Sequence, residues 1–337
     1  MSNWYLQNGK DSDVVISTRV RLARNIKNFN FENKCSKDDK KHILEKIEGV
    51  LPSIGYDLKL LRLKDMDNLT KQSLVEKHII SPEFASSKDE NCAILINDEE
   101  NICIMINEED HLRMQLFGEG IAIEELMNLA IEIDQKLERL VDYAFSEKYG
   151  YLTACPTNVG TGLRVSVMVH LPGLAETGNL NKILHIVNNF GMSVRGVYGE
   201  GSQSMGNMYQ ISNNQTLGLT EQEIVKNMKL ITDKIIEQER VARKYLGKNQ
   251  IGLADKVYRA FGILENARIL SSNECIDLLS DVKLGTDMGI ISELDDTKIK
   301  KLLFILIITI YETSKFTEVL WKSNEFQWKR LKEDRYY

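Results

Sequence analysis

The sequence predicts a mixed α/β (α+β) unit over residues 1–246, followed by an all-helical part over residues 247–337. Three observations carry that reading. Strand-like and helix-like patterns alternate up to about Gly247, and almost every segment after it has helical spacing. Two short apolar runs, Cys92 to Asn97 and Ile102 to Asn107, are joined by Asp98-Glu99-Glu100-Asn101 and read as a hairpin. Ile121 to Phe145 sets Leu126, Leu129, Ile133, Leu137, Leu140 and Val141 at helical spacing, the pattern of a long core-facing helix.

The remaining elements follow in chain order. Val14 to Arg24 is strand-like, and its period of two puts Ser17, Arg19 and Arg21 on one face with Thr18, Val20 and Leu22 opposite. Two neighbouring arginines repel each other, so that face is either solvated or closed on an anion. Ser36 caps a helix to about Leu51, ended by Pro52. A second helix covers Leu69 to Ile80 and ends at Ser81-Pro82. It carries His78 near its C-terminus, as a cap or surface residue or as a ligand contact. Asn107-Glu108-Glu109-Asp110-His111-Leu112-Arg113 follows a buried strand directly, and is a charged loop or a catalytic carboxylate cluster at a strand end.

Gly150 to Arg164 packs Cys155, several Thr and Gly residues and an Arg between two strand-like runs. Such density of small polar residues suits a turn, or a backbone that approaches an anion; it is not a P-loop, since no Gly-Lys-Ser/Thr follows the glycines. From Arg164 the chain alternates, with Val165, Val167, Val169 and Leu171 facing one way and Arg164, Ser166, Met168 and His170 the other. A helix from Asn179 to Phe190 is closed by Gly191. A glycine-bearing loop from Arg195 to Gly206 holds one Arg and one Glu, Glu200. A strand from Met208 to Ser212 follows, and Thr220-Glu221-Gln222-Glu223 is a capping box opening a helix to about Tyr245.

Composition bounds the function. A net charge of −6 without a basic tail argues against nucleic-acid binding. Five scattered cysteines without a C-x-x-C pair imply neither a disulfide framework nor a zinc site, and suit a reducing cytosol. Met1 to Tyr5 lacks the apolar core of a signal peptide. The longest apolar run, Leu302 to Tyr311, is about half of what a bilayer requires and reads as a buried helix. The expected location is the cytoplasm, with no membrane contact.

The polar residues left over from the core pattern are Arg19, Arg21, Arg113, Arg164, Arg195, Glu109 and Glu200. Convergent guanidinium forks match the oxygens of a nucleoside triphosphate. Two glutamates would hold a positively charged acceptor, one of them taking its proton. Such a site performs phosphoryl transfer by positioning and charge neutralisation, usually with Mg²⁺ on the phosphates.

Ser17-Thr18-Arg19-Val20-Arg21-Leu22-Ala23-Arg24-Asn25, Asn107 to Arg113, Gly150 to Arg164 and Arg195 to Gly206 resemble, in order and spacing, the signatures of the phosphagen (guanidino) kinase catalytic domain. The resemblance spans residues 14 to 245 and implies a glutamine-synthetase-like antiparallel sheet flanked by helices. Arginine and creatine kinases carry a helical domain before the Ser-x-Arg-Val-Arg motif. Here the motif starts at Ser17 and an all-helical part follows the catalytic region, an arrangement similar to the McsB family of bacterial protein-arginine kinases.

The resemblance implies ATP and Mg²⁺ as cofactors, with no metal site made of protein ligands. It assigns the five arginines to ATP phosphates and His78 to the nucleotide. The stretches Ser17-Thr18-Arg19-Val20-Arg21, Arg164-Val165-Ser166-Val167-Met168 and Arg195-Gly196-Val197-Tyr198-Gly199-Glu200 would line the nucleotide site. Glu109, as base, and Glu200 would bind the acceptor guanidinium, with Cys155 beside its nitrogens. The implied partners are proteins with exposed arginines, the activator McsA, the repressor CtsR, the ClpC/ClpP protease and a second copy of the chain. Phosphoarginine would mark proteins for Clp-dependent degradation and inactivate CtsR. One departure stands out: the family's Arg-Asp-x-x-Arg-Ala motif, associated with phosphoarginine sensing, corresponds to Glu325 to Lys332, which lacks the Asp. That site is not carried over. The rival functions are a small-molecule guanidino kinase and an ATP-binding adaptor without chemistry.

Overall fold

The computed structural model describes residue 4, residues 9–196 and 205–292, and residues 294, 299 and 302. By compactness the chain divides into Met1–Val169, Lys182–Val194 and Gln210–Ile236 as one unit, and His170–Asn181, Arg195–Tyr209 and Glu237–Tyr337 as the other. This partition interleaves along the chain, whereas the sequence reading places a single boundary after residue 246.

The first unit is built on a sheet in the order β2-β3-β4-β5-β1-β8-β10-β9. In chain order the strands are β1 (Val15–Arg24), β2 (Lys59–Arg62), β3 (Ala93–Ile96), β4 (Ile102–Ile106), β5 (Leu112–Glu119), β6 (Phe145–Ser146), β7 (Gly150–Tyr151), β8 (Leu163–His170), β9 (Met192–Gly196) and β10 (Met208–Asn213). The pairings from β2 to β8 are antiparallel, and β6 and β7 form a separate ribbon. The helices up to residue 246 are α1 (Lys37–Ile54), α2 (Asn68–Glu76), α3 (Pro82–Ala85) and α4 (Ile123–Leu140) of the first unit, α5 (Pro172–Glu176) of the second, and α6 (Leu180–Asn189) and α7 (Glu221–Leu246), each shared between the two by residue number.

β1 lies between β5 and β8, and its alternation sets the architecture. Val20 and Leu22 are buried with Val165 and Val167 of β8 and Leu116 of β5, on the face that packs on α4 through Leu126, Ile133 and Leu137. Each such side chain removed from water contributes roughly 1.5–3 kcal/mol. Thr18 shares that side: its hydroxyl donates to Gly120 O (2.6 Å) and accepts from Ala122 N (3.1 Å), capping α4, whose own N-cap residue is an alanine. The predicted capping box at Thr220 is present, with reciprocal bonds to Glu223.

Several predicted boundaries move. α1 runs through Pro52 to Ile54 and ends at Gly55, at φ +83°. Near the helix end a proline forfeits one backbone bond without stopping the last turn. α2 stops at Glu76 because His78 takes a left-handed conformation, φ +54°, and Ile79 N bonds back to Leu74 O (2.9 Å). α4 ends at Leu140, since Val141 is extended and Phe145 enters β6. β5 is absent from the sequence reading altogether: the charged stretch before it obscured the alternation of Leu112, Met114 and Leu116 with Arg113, Gln115 and Phe117.

In the second unit, α8 (Gln250–Asn266) and α9 (Ser272–Asp287) start at the side-chain caps Asn249 and Ser271. Glu239 of α7 is fully buried and accepts from Gly173 N (2.8 Å) and Leu174 N (2.9 Å). Arg243 joins Glu239 (2.7 Å) to Asp287 (3.1 Å), and buried Lys283 also reaches Asp287 (2.8 Å). His170, expected on the open face of β8, is instead fully buried here with Nε2 2.8 Å from Ser280 Oγ. Nearly all of the run Leu302 to Tyr311, and the whole Glu325 to Lys332 stretch, lie outside the described residues.

Candidate active site

The face of the sheet opposite α4 gathers arginines from three adjacent strands. Arg21 stands opposite Arg164 of β8, Arg19 opposite Ser166 of β8 and Phe117 of β5, and Arg113 opposite Ala23. Antiparallel partners share a face, so strand register alone assembles four cations there. Burial and the neighbouring Arg113 and Arg164 lower the Arg19 pKa to about 10. Arg21 is held well below its ordinary value by burial and by Arg19, Arg113 and Arg164, against a weaker opposing effect of Glu108. Neither Arg19 nor Arg21 has an ion pair or side-chain hydrogen bond among the described residues. A multiply charged anion on this face relieves that repulsion and supplies acceptors for the forks.

Two apolar or neutral groups border the arginines. Gln115 Nε2 donates to Ile79 O (2.9 Å), which holds the turn after α2 against β5. His78, on that turn, has a buried Nε2 without a hydrogen-bond partner among the described residues, and burial and Arg19 lower its pKa to about 4. A left-handed non-glycine residue with an orphaned ring nitrogen is strained in a way associated with ligand contact. Phe117, next to Arg19, is covered by the ring of Trp4, stacked 5.5 Å away.

The far end of the face, beside Ala23, meets the turn between β4 and β5. Glu108 is committed there: it pairs with Arg113 and accepts from Ser81 Oγ (3.0 Å). Glu109 is held only loosely, since its side chain is 42% exposed and its carboxylate lies 3.6 Å from Arg113. Asp110 is buried and accepts at Oδ1 from Asn25 Nδ2 (2.7 Å) and from Ala154 N (2.7 Å), the residue before Cys155. Cys155 is half-buried, with its sulfur 3.0 Å from Thr157 Oγ1.

The glycines of the Gly150 to Arg164 stretch serve backbone crossings, the turn alternative. Gly160, at φ +113°, lets Thr216 O approach to 2.2 Å from where a Cβ would stand, and Gly162, at φ +63°, does the same for Ala23 O (2.6 Å). The third arginine of the first motif points away from the cluster. Arg24 is buried on Asp134 (2.6 Å) with its guanidinium 3.5 Å from the Tyr151 ring, and it holds the core together.

Of the residues singled out from sequence, Ser17, Arg19, Arg21, Arg113, Arg164, Ser166 and Met168 share the open face, and His78 adjoins Arg19. Thr18, Val20, Val165 and Val167 bring their backbones to the same strands but bury their side chains on the α4 side. Arg195 and Gly196 end β9 in the second compact unit. Val197, Tyr198, Gly199 and Glu200 lie outside the described residues. Sequence reading missed Gln115, Phe117 and Trp4 as parts of the site, and took Glu108 and Asp110 only as members of the acidic cluster, without a role of their own. The period-two alternation of β5 was the available signal for the first two.

Residues 41–242 match the family described as ATP:guanido phosphotransferase, C-terminal catalytic domain, and residues 250–309 match the protein-arginine kinase McsB C-terminal domain. Among curated relatives, the protein-arginine kinase of Halothermothrix orenii is 47% identical over 308 residues, covering 91% of this chain and 88% of the relative. That of Bacillus subtilis is 44% identical over 311 residues, covering 90% and 85%. Among solved structures, the duplicated taurocyamine kinase from Schistosoma mansoni with bound transition state analog components superposes with TM-score 0.62 at 28% identity, over 71% of this chain and 34% of that one. Lombricine kinase gives 0.60 at 26%, over 71% and 69%.

Proposed function

Because the chain belongs to the protein-arginine kinases of the ATP:guanido phosphotransferase family, we propose that its open sheet face carries out transfer of the γ-phosphoryl group of Mg-ATP to arginine side chains of other proteins. The observation that supports this most is the four-arginine face, whose Arg19 and Arg21 make no ion pair or side-chain hydrogen bond among the described residues, ending at a turn with an exposed and only loosely paired carboxylate.

Arg19, Arg21, Arg113 and Arg164 bind and neutralise the triphosphate, and Arg195 is assigned to it by the family resemblance alone. The face has a polarity: Phe117 and Met168 lie toward Ser17, the acceptor turn toward Ala23. The base is therefore directed toward Ser17 and the transferred group toward Glu109. His78, neutral near pH 7, presents a ring nitrogen to the nucleotide without adding charge. Mg²⁺ enters with the substrate and spreads the charge of its phosphates.

The acceptor guanidinium lies against Glu109, with Glu200 as its second carboxylate and Cys155 beside its nitrogens. One guanidinium nitrogen attacks phosphorus, the bond to the leaving oxygen of ADP breaks, and the proton lost by that nitrogen passes to Glu109, whose exposure lets it return the proton to water. The helical part, residues 247–337, would support dimerisation and target binding. McsA, CtsR and ClpC/ClpP are the partners proposed, with phosphoarginine marking proteins for degradation and inactivating CtsR. The site of action proposed is the cytoplasm; no described helix is long and apolar enough to cross a membrane.

The test is a transfer assay with Mg-ATP that offers an unfolded arginine-containing protein and free arginine side by side. Acid-labile phosphate on the protein alone is expected, because a P–N bond is lost in acid where phosphoserine survives. Phosphate mainly on free arginine contradicts the reading in favour of a small-molecule guanidino kinase. No transfer to either, with ATP bound, favours the adaptor.

A further inference from the structure

We propose that Asp110 is a positioning residue for phosphoryl transfer: its buried carboxylate ties the turn that carries Glu109 to the loop that carries Cys155, and so sets the spacing of the two groups that flank the acceptor guanidinium. The inference rests on the kinase reading for the roles of Glu109 and Cys155, but the tie itself is geometry. Glu109 and Cys155 sit on separate loops, and neither loop is inside a strand or helix that would fix it. Asp110 directly follows Glu109, and Ala154 directly precedes Cys155. The bond from Ala154 N to Asp110 Oδ1, at 2.7 Å, is therefore one residue from each functional side chain.

The tie is anchored at the residue that follows β1. Asn25 donates from Nδ2 to the same Asp110 oxygen (2.7 Å) and to Leu152 O (3.1 Å), and its own Oδ1 accepts from His111 N (2.9 Å). One side chain thus bonds the acceptor turn on one side and the Cys155 loop on the other. His111 is fixed in turn. Its Nδ1 accepts from Ile26 N (3.0 Å), so Nε2 carries the hydrogen and donates to Asn30 O (2.9 Å). On the loop side, Thr153 Oγ1 donates to Cys155 O (2.7 Å), which keeps the step from Ala154 to Cys155 rigid.

Asp110 itself forms no ion pair among the described residues, although it sits between Glu109 and Arg113. Its partners are neutral donors, which a carboxylate holds with charge-assisted bonds. What the arrangement requires of Asp110 is an acceptor oxygen at one place. Asn supplies that oxygen without the charge; Glu keeps the charge and displaces the oxygen. The two variants therefore separate positioning from electrostatics, and Ala removes both.

The experiment uses the full chain carrying Cys35→Ser, so that Cys155 is the half-exposed thiol left to report, the other three cysteines being buried. D110A, D110N and D110E are compared with the parent in kcat and KM on an unfolded arginine-rich protein, in KM for Mg-ATP, and in the rate of Cys155 alkylation by iodoacetamide without substrates. A displacement near 1 Å costs a transfer reaction about 100-fold, and that loss of kcat is expected for D110A and D110E. D110N should stay within about tenfold of the parent, and KM for Mg-ATP within about twofold throughout. Cys155 alkylation should change several-fold in D110A and D110E but not in D110N. Parent-like alkylation in D110E, or D110N as impaired as D110E, overturns the proposal. If D110A gives no cooperative melt, the order of D110N and D110E still decides. The alkylation arm needs no phosphoryl transfer, so it stands or falls separately from the kinase reading.

Discussion

Arg19→Gln should make the ligand-free protein more stable and the nucleotide complex weaker. The magnitude follows from the crowding on the open face. Burial, Arg113 and Arg164 lower the Arg19 pKa from its ordinary guanidinium value to about 10. At about 1.36 kcal/mol per pKa unit that shift is worth roughly 3 kcal/mol, and partial exposure reduces it to about 1–2 kcal/mol. The sign is unambiguous: a cation whose folded pKa is depressed opposes folding at every pH below about 10, and the penalty fades only as pH rises through that value toward the ordinary guanidinium pKa. Gln is shorter but keeps the first two methylenes and a polar end while removing the charge, so unfolding in urea should show a gain of about 1–2 kcal/mol, or a few degrees in Tm. The same change removes one charged fork from the phosphates, worth about 1.5–3 kcal/mol, so Kd for a non-hydrolysable Mg-ATP analogue should rise by about 10- to 100-fold in calorimetry. A less stable ligand-free R19Q, or unchanged nucleotide affinity, refutes the claim that this face is preset for an anion.

Other outcomes follow from the same geometry. Glu109→Gln should lower kcat by about 10²–10⁴-fold with ATP affinity nearly intact, since the side chain is exposed and its contact to Arg113 is loose; a loss of ATP binding would count against its acceptor role. Arg24→Met leaves Asp134 buried without its partner and should cost about 3–5 kcal/mol in urea unfolding, whereas a cost below about 1 kcal/mol would show the pair to be dispensable. The lowered pKa of His78, from 6.5 to about 4, means that the unfolded chain binds more protons in that window. Stability must then fall as pH drops from 6.5 to 4, and His78→Gln should flatten that slope; an unchanged slope would place the titration elsewhere, such as buried His170.

The arginine face was legible because a strand writes its two faces into the sequence at a fixed period. Val165 and Val167 against Arg164 and Ser166, and Val20 against Arg19 and Arg21, needed no partner to be sorted. What period cannot supply is which strands lie side by side. Arg164 opposite Arg21, and Arg113 one step beyond, is a consequence of register between segments far apart in the chain. β5 was missed because its first residues belong to a cluster of charges that reads as loop. His170 shows the opposite limit: the alternation placed it on the polar side, and helices from the end of the chain buried it. Asp110 was read as one of three acids, yet its role depends on Asn25 and Ala154, contacts that no local pattern encodes. Likewise, the glycines of the Cys155 loop suited either a turn or an anion, and only the fold shows that they are used where backbones cross.

The most direct test of the whole account is a crystal structure of the chain with Mg-ADP, nitrate and an arginine-containing peptide. The diphosphate is expected on Arg19, Arg21, Arg113 and Arg164, the base toward Ser17 and His78, and the peptide guanidinium against Glu109 with Cys155 alongside. A nucleotide bound away from this face, or a guanidinium that does not meet Glu109, would contradict it.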